Sequence, residues 1–185
     1  MLKKLLTYGF KIEQRYEKLK KICKKNDVEL VDIDKSDLNE KVGFLVGLPG
    51  FSEGENKIPI ENMDTEYLLF AGFSPDDLNK FLNDLRDEAV LVAHKSVLTE
   101  NSKNWTMGYL ISHVMDEHKL MMVWERYRKL VLMGEEVLKV KQNERLKLCI
   151  DHGKNLLKNR EPAFEDLVKG YNNLFECLEK LGKEE

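Results

Sequence analysis

Two parts of this chain resemble one another, and that resemblance most limits the folds that the chain can adopt. Three pairs of short segments match in the same order along the sequence: 5–10 with 68–73, 35–38 with 95–98, and 43–46 with 108–111. Three matches in one order indicate a repeated unit, whereas a single match would carry little weight. Because the sequence shows two copies, we predict a pseudo-symmetric domain and not a solenoid.

Each half shows the same order of predicted elements, β-α-β-α. An apolar run ends at a Gly-Phe turn, at Gly9 in the first half and at Gly72 in the second, and an amphipathic helix follows. A second strand comes next, at residues 28–33 or at about residues 90–94, and a further helix ends each half. A strand-helix-strand unit joins parallel strands by a right-handed crossover, so each half is predicted to contribute two parallel strands.

These elements predict an α/β fold in which pseudo-duplicated β-α-β-α halves form a four-stranded sheet with helices packed on it. The halves are residues 1–47 and 67–118, which together make a duplicated α/β domain over residues 1–118. Residues 48–66 are rich in Gly, Pro, Asn and Glu. We interpret them as a linker between the halves, with a flap over a ligand site as the alternative.

An all-helical C-terminal tail is predicted over residues 119–185, because its apolar residues recur at helical spacing. Three helices are expected, and the last carries a regular apolar seam: Phe164, Leu167, Tyr171, Leu174, Leu178 and Leu181. Burying such a side chain contributes about 1.5–3 kcal/mol, so the seam should meet another helix. Because the middle helix is short, we predict a homodimer through the tail, with an intramolecular hairpin as the alternative.

The composition fits a cytoplasmic protein with a hydrophobic core. No apolar run approaches the roughly 20 residues of a transmembrane helix, so we expect no membrane partner. The net charge of −3 opposes an electrostatic grip on nucleic acid, which is therefore not an expected partner. The three cysteines are odd in number and far apart, and none lies in a Cys-x-x-Cys motif, which favours a reducing compartment.

The second half contains three segments with a distinctive sequence, at residues 68–73, 95–99 and 104–110. The Asn-Trp-Thr step at residues 104–106, which follows a Leu-Thr-Glu, is the most specific part. Over about residues 63–118 this pattern resembles an uncharacterised bacterial family, the domain of unknown function 3783. The resemblance implies a bacterial, cytoplasmic protein. It supplies no catalytic residues, because the family has no assigned activity.

A ligand site is predicted at the carboxyl edge of the sheet, where open α/β sheets bind their ligands. Backbone amides at helix starts, together with a lysine, suit a small anionic ligand. The candidate residues are Gly9, Lys35, Ser36, Gly72, Ser74, Lys95, Ser96 and Trp105. Turn and capping chemistry is the competing interpretation for the turn residues, and a core anchor is the competing interpretation for Trp105.

No metal site, cofactor or catalytic residue is predicted. His113 and His118 are five residues apart, whereas helical zinc motifs place two histidines four apart on one face. His118 shares a predicted face with apolar residues, so we expect it to be packed. The sequence contains no phosphate-binding loop and no nucleophile elbow.

These observations favour a non-enzymatic binding or regulatory module that associates with other protein through its helical tail. The alternative is an enzyme or a sensor that binds a small anionic ligand at the carboxyl edge of the sheet. A deep pocket that holds both Lys35 and Lys95 would favour the alternative, and an exposed apolar stripe on the tail would favour the binding module.

Overall fold

The first part of the chain folds around a four-stranded sheet. The computed structural model describes residues 2–54 and 63–183. Their strands are β1 (Lys4–Tyr8), β2 (Glu29–Ile33), β3 (Tyr67–Ala71) and β4 (His94–Val97), in the order β2-β1-β3-β4 across the sheet. β1 is parallel to β2 and β3 is parallel to β4, while β1 and β3 are antiparallel neighbours. The predicted α/β fold with a four-stranded sheet is confirmed.

Helices cover both faces of this sheet. The α-helices of the described residues are α1 (Glu13–Lys25), α2 (Val42–Leu45), α3 (Pro75–Asp87), α4 (Met107–Val140), α5 (Glu144–Lys158) and α6 (Phe164–Lys183). On one face, Leu19 of α1 and Phe81 of α3 are buried with Leu68 of β3. On the other face, Val42 of α2 and Met107 of α4 are buried with the alternate residues of that strand. Because both faces are covered, all five positions of β3 are buried.

The turns that lead into α1 and α3 follow the signals in their sequences. Gly9 and Gly72 have φ angles of 77° and 75°, which glycine adopts without the steric cost that other residues meet. At the start of α3, the Ser74 Oγ accepts a hydrogen bond from the Asp77 amide at 3.1 Å. Pro75 takes the first helical position, where its missing amide proton costs nothing. The predicted start of α3 is therefore confirmed.

The fourth strand lies further along the chain than the sequence predicts. β4 begins at His94, and the apolar residues before it are not in a strand. Val90 and Val92 are buried in the cluster that α1 and α3 cover, so they reach the core from a loop. Their apolar character, which resembled the start of a strand, reflects burial and not strand pairing.

One of the three sequence matches does not correspond to equivalent structure. Lys35 begins a 3-10 helix (Lys35–Asn39) that follows β2, whereas Lys95 lies inside β4. The match between these two segments therefore aligned a helical turn with a strand, and that expectation is wrong. The 3-10 helix and α2 together replace the single short helix predicted there. The internal duplication itself stays a prediction.

The described part of the predicted linker packs against the first half. A β-carbon on Gly43 would lie 2.7 Å from the ring of Phe51, so the two residues are in close contact. The Gly54 amide donates a hydrogen bond of 2.7 Å to the buried Glu40 carboxylate. Residues 55–62 of the predicted linker or flap lie outside the described residues.

The C-terminal region is helical. The chain forms two compact units, Met1–Met115 and Asp116–Glu185. The second unit contains the larger part of α4 together with α5 and α6. The predicted domain boundary after residue 118 lies within α4, and it stays a prediction.

The apolar seam of α6 is covered by the same chain. Leu167 and Leu174 of α6 are fully buried in one cluster with Leu146 and Ile150 of α5 and with Tyr127 of α4. The middle helix is therefore long enough to help to cover the seam. The seam therefore needs no second chain, because α4 and α5 of the same chain bury it.

Close approach of α5 and α6 to Tyr127 depends on two glycines. A β-carbon on Gly153 of α5 would lie 2.9 Å from the Tyr127 hydroxyl, and one on Gly170 of α6 would lie 2.6 Å from it. The hydroxyl is buried and has no hydrogen-bond partner among the described residues. Burial raises the pKa of Tyr127 to about 12, so the phenol stays neutral.

Candidate functional site

The residues predicted to hold a ligand do not come together at one place. Gly9 follows the carboxyl end of β1, and Gly72 follows the carboxyl end of β3. These strands are antiparallel, so the two turns lie at opposite edges of the sheet. Ser74 lies beside Gly72 and caps α3. Lys35 and Ser36 follow β2, so they lie at the same end of the sheet as Gly9. A single carboxyl edge that carries all of the predicted residues is therefore wrong.

Lys95 and Ser96 lie inside β4 and not beyond its end. The Lys95 Nζ donates a hydrogen bond of 2.9 Å to the Val92 carbonyl, and the Ser96 hydroxyl makes a hydrogen bond of 2.5 Å with the Tyr67 hydroxyl. Burial raises the pKa of Tyr67 to about 12. The five best-formed cavities of the described residues have neither Lys35 nor Lys95 in their walls.

Ser36 has a local structural partner at the opposite edge. Its Oγ donates a hydrogen bond of 2.6 Å to Asp34 Oδ1, and its amide donates another of 2.6 Å to the same atom. The amide of Asp34 in turn bonds Asp37 Oδ2, which completes a capping box at the start of the 3-10 helix. These contacts match the capping interpretation for Ser36.

Trp105 packs at the edge of the core, just before α4. It is partly buried against the cluster on the α2 face of the sheet. Its ring meets Tyr109 edge to face at a centroid distance of 5.0 Å and His113 at 5.1 Å. The Trp105 carbonyl accepts a hydrogen bond of 2.9 Å from the Val42 amide. Both its ring and its backbone therefore join α4 to the first half.

The prediction for His118 is wrong, because this side chain is exposed and not packed. It lies on α4 at the start of the second compact unit. Residues 2–54 and 63–183 contain no group of three or more His, Cys, Asp or Glu side chains that could hold a metal ion. In the same residues, no helix is long and apolar enough to span a membrane.

A cleft that sequence reasoning missed lies at the carboxyl ends of β1 and β2. Its volume is about 340 Å³, and its walls are formed by Thr7, Gly9, Phe10, Lys11, Tyr16, Asp32 and Ile33. Thr7 and Asp32 are neighbours in the parallel register of the two strands. The Tyr16 hydroxyl donates a short hydrogen bond to Asp32 Oδ2. Polar residues at the ends of two apolar strands were the signal that could have located this cleft.

Charged side chains surround the cleft in pairs. The Lys11 Nζ lies 2.6 Å from Asp64 Oδ1, and Arg15 Nη1 lies 2.5 Å from Glu66 Oε1. The hydrogen bond between Lys11 and Asp64 raises the pKa of the lysine and lowers that of the aspartate, so both stay charged. Burial and the bond to Asp32 raise the pKa of the Tyr16 hydroxyl, which stays protonated.

An apolar groove lies between the ends of α4 and α6 in the second compact unit. Its volume is about 520 Å³, and its walls are formed by Met133, Glu136, Val137, Val140, Lys141, Leu178, Leu181 and Gly182. Val140 is 85% exposed and Met133 is 51% exposed, so much of this apolar surface meets solvent. Glu136 and Lys141 place opposite charges along the same groove.

Residues 66–121 match the model of a family described as a domain of unknown function (DUF3783). The matched part contains β3, α3, β4 and the start of α4, with Trp105 among its residues. The resemblance predicted over about residues 63–118 is confirmed. No curated protein and no solved structure matches this chain.

Proposed function

We propose that this protein is a non-enzymatic binding or regulatory module that associates with a second copy of itself through the groove between α4 and α6. The observation that carries the proposal is the exposed apolar surface of the tail. Among the described residues, thirteen large hydrophobic side chains are exposed, and eight of them lie beyond residue 115: Met121, Met122, Leu132, Met133, Val140, Leu148, Phe164 and Phe175. Because most of these exposed apolar side chains lie in the shorter unit, Asp116–Glu185, we expect the surface for association to lie on that unit.

The groove suits a second copy because its chemistry is self-complementary. Homodimers commonly use the same patch on both copies, so a residue on one copy meets a different residue of that patch on the other. Here Glu136, which forms an ion pair of 2.7 Å with Lys139 of its own helix, can instead face Lys141 of the partner subunit, while Met133 and Val140 bury their apolar surface. Each buried aliphatic side chain contributes about 1.5–3 kcal/mol.

This interface differs from the one expected from the sequence. The seam residue Leu174 is fully buried within its own chain, so a charge there would unfold the tail and would not report on association. Val140 and Met133 are better positions, because a charged side chain at either can reach solvent in the monomer.

The experiment is sedimentation velocity of the full chain from micromolar to millimolar concentration. Wild type should sediment as a dimer at high concentration, and the double variant Met133→Glu, Val140→Glu should sediment as a monomer with unchanged helix content. Leu148→Glu is the matched control, because Leu148 is 70% exposed on α5 and lies outside the groove. A wild-type chain that stays monomeric at the highest concentration contradicts the proposal, as does a dimer that persists in the double variant.

The alternative function is an enzyme or sensor for a small anionic ligand at a carboxyl edge of the sheet. It has less support, because Lys35 and Lys95 lie apart and no described cavity holds both. The carboxyl end of β2 and the turn after it also carry the acidic side chains of Asp32, Asp34 and Asp37, which repel an anion.

A cytoplasmic location remains part of the proposal. Cys23, Cys149 and Cys177 are free thiols, and Cys23 and Cys177 are buried. Free buried thiols are typical of proteins in reducing compartments. The bacterial origin implied by the family resemblance stays a prediction.

A further inference from the structure

We propose that the cleft at the carboxyl ends of β1 and β2 binds a small neutral molecule that carries several hydroxyl groups, such as a sugar or an open-chain polyol. This site is separate from the groove in the tail, so either proposal can fail without the other. The cleft volume of about 340 Å³ lies within the range of about 300–1,000 Å³ that is usual for small-molecule sites.

The hydroxyl group of Thr7 is the observation that calls for a ligand. Thr7 is 3% exposed, it lines the cleft, and its Oγ1 has no hydrogen-bond partner among the described residues. Buried polar side-chain atoms without a partner are rare in folded proteins. A ligand hydroxyl in the cleft would supply the missing partner once the Thr7 side chain turns its hydroxyl towards the cleft.

Comparison with the second half of the α/β unit indicates that the fold does not need the polar side chains of Thr7, Asp32 and Tyr16. Three residues of the first half can be matched with residues at the same positions in the second half. The strand registers match Thr7 with Phe70 and Asp32 with Val97. The fourth residue of each first helix matches Tyr16 with Leu78. In the second half these places are apolar, and the ring of Phe70 packs edge to face with Phe73 at 5.3 Å and with Phe81 at 5.8 Å. The polar set of the first half is therefore not required by the architecture.

The chemistry of the cleft favours hydroxyl groups over a single charge. The Thr7 hydroxyl both donates and accepts, the Asp32 carboxylate accepts, and the Lys11 ammonium donates at the rim. A hydroxyl group, which is both donor and acceptor, can match all three.

Charged ligands fit this cleft less well. An anion would meet the carboxylate of Asp32 inside the cleft. A cation would be attracted by Asp32 but would meet the Lys11 ammonium, which also lines the cleft. The aromatic rings already contact cations, because the Arg15 guanidinium lies 5.6 Å from the ring centroid of Phe10 and the Lys20 ammonium lies 4.5 Å from that of Tyr16. A neutral molecule avoids both conflicts.

The test is a titration of the full chain, labelled for backbone amide NMR, with D-glucose as the ring sugar and mannitol as the open-chain polyol. Inorganic phosphate and tetramethylammonium serve as the anionic and cationic probes. We expect saturable shifts at residues 7–11 and 32–33 with glucose or mannitol, and the probe that saturates first identifies the type of polyhydroxyl ligand. Saturable binding of phosphate or tetramethylammonium alone overturns the proposal, as does no saturable binding of any probe.

Two variants connect binding to the named groups. Thr7→Val removes the hydroxyl in nearly the same shape, and Asp32→Asn removes the charge, and each should weaken binding at least tenfold. Thr106→Val is the matched control, because Thr106 lies outside the cleft and should bind as wild type does. The thermal midpoint of Thr7→Val should not fall, since the variant removes an unpaired buried hydroxyl. Binding that survives in Thr7→Val with its affinity unchanged overturns the assignment of the site.

Discussion

Leu6 and Leu69 face each other across the antiparallel pair of strands at the centre of the sheet. Each is the third residue of its strand, and the two occupy matching places in the sequence segments 5–10 and 68–73. Lys41 and Thr106 form a second antiparallel bridge, and they precede the matching segments 43–46 and 108–111. If the two halves are related by a two-fold axis, each residue on that axis lies opposite the equivalent residue of the other half. We propose that the pairs Leu6 with Leu69 and Lys41 with Thr106 lie on such an axis.

The turn after β1 should tolerate no side chain at Gly9. A β-carbon there would lie 2.0 Å from the Thr65 carbonyl oxygen, and the φ angle of 77° is itself unfavourable for other residues. The left-handed conformation alone costs a residue other than glycine about 1–2 kcal/mol. We therefore expect Gly9→Ala to lower the free energy of unfolding by more than this amount, measured by urea denaturation.

Gly50→Ala is the matched control for that substitution. Gly50 has a similar φ angle of 83°, but a β-carbon there would meet nothing within 4 Å among the described residues. Gly50→Ala should therefore lower the free energy of unfolding only by the cost of the left-handed conformation, about 1–2 kcal/mol. Equal losses for the two variants would show that the contact with Thr65 is unimportant.

The packing of α6 on α4 should depend on the size of residue 170. A methyl group on Gly170 would lie 2.6 Å from the Tyr127 hydroxyl. Overpacking of this kind costs about 1–3 kcal/mol, so Gly170→Ala should lower the free energy of unfolding by that amount. Tyr127→Phe removes the hydroxyl, which has no partner among the described residues, and should leave stability unchanged or raise it.

The double variant Gly170→Ala, Tyr127→Phe tests whether these two effects are coupled. Removal of the hydroxyl relieves the closest of the three contacts, while two ring carbons of residue 127 would still lie 2.9 Å from the new β-carbon. The double variant should therefore be somewhat more stable than the sum of the single variants predicts. Chemical denaturation of all four proteins measures this coupling. Simple additivity would mean that the helices move apart and that the hydroxyl does not limit their approach.

Acid should remove a stabilising contact between α1 and α3. The Lys25 Nζ and the Asn26 side-chain amide both donate hydrogen bonds of 2.7 Å to the Asp84 carboxylate, and these bonds lower the pKa of Asp84. A carboxyl group with a lowered folded-state pKa stabilises the protein above its unfolded pKa of about 4. That contribution is lost as the pH falls through the lower, folded-state pKa.

Asp84→Asn should therefore be less stable than wild type at neutral pH, and the difference should shrink as the pH falls from about 5 to about 2. Urea denaturation across that pH range measures the effect. Lys25→Met removes the first donor and should reduce the same pH dependence while leaving the carboxylate in place. A stability difference that stays constant down to pH 2 would rule out the titration of Asp84 as its cause.

Local sequence features determined the order of the elements in both units. The cap at Ser74 and the glycines at residues 9 and 72 act within a few residues, and their side-chain and backbone requirements can be read directly. The apolar seam of α6 is also local, because the helical repeat alone selects its residues. These signals located α3, α6 and the strands β1, β2 and β3, whereas β4 lies further along the chain than its apolar residues indicated.

The tertiary structure decided which strands are neighbours, which strand ends share one end of the sheet, and which helix faces are covered. Strands pair through backbone hydrogen bonds that carry no residue code, so the antiparallel contact of Leu6 with Leu69 could not be read from periodicity. That one contact places Gly9 and Gly72 at opposite edges and leaves the cleft beside Thr7 to the first half alone. Likewise, His118 is exposed although Leu110 and Ile111 of the same helix are buried, because the sequence of one helix does not specify which of its turns meet a neighbour.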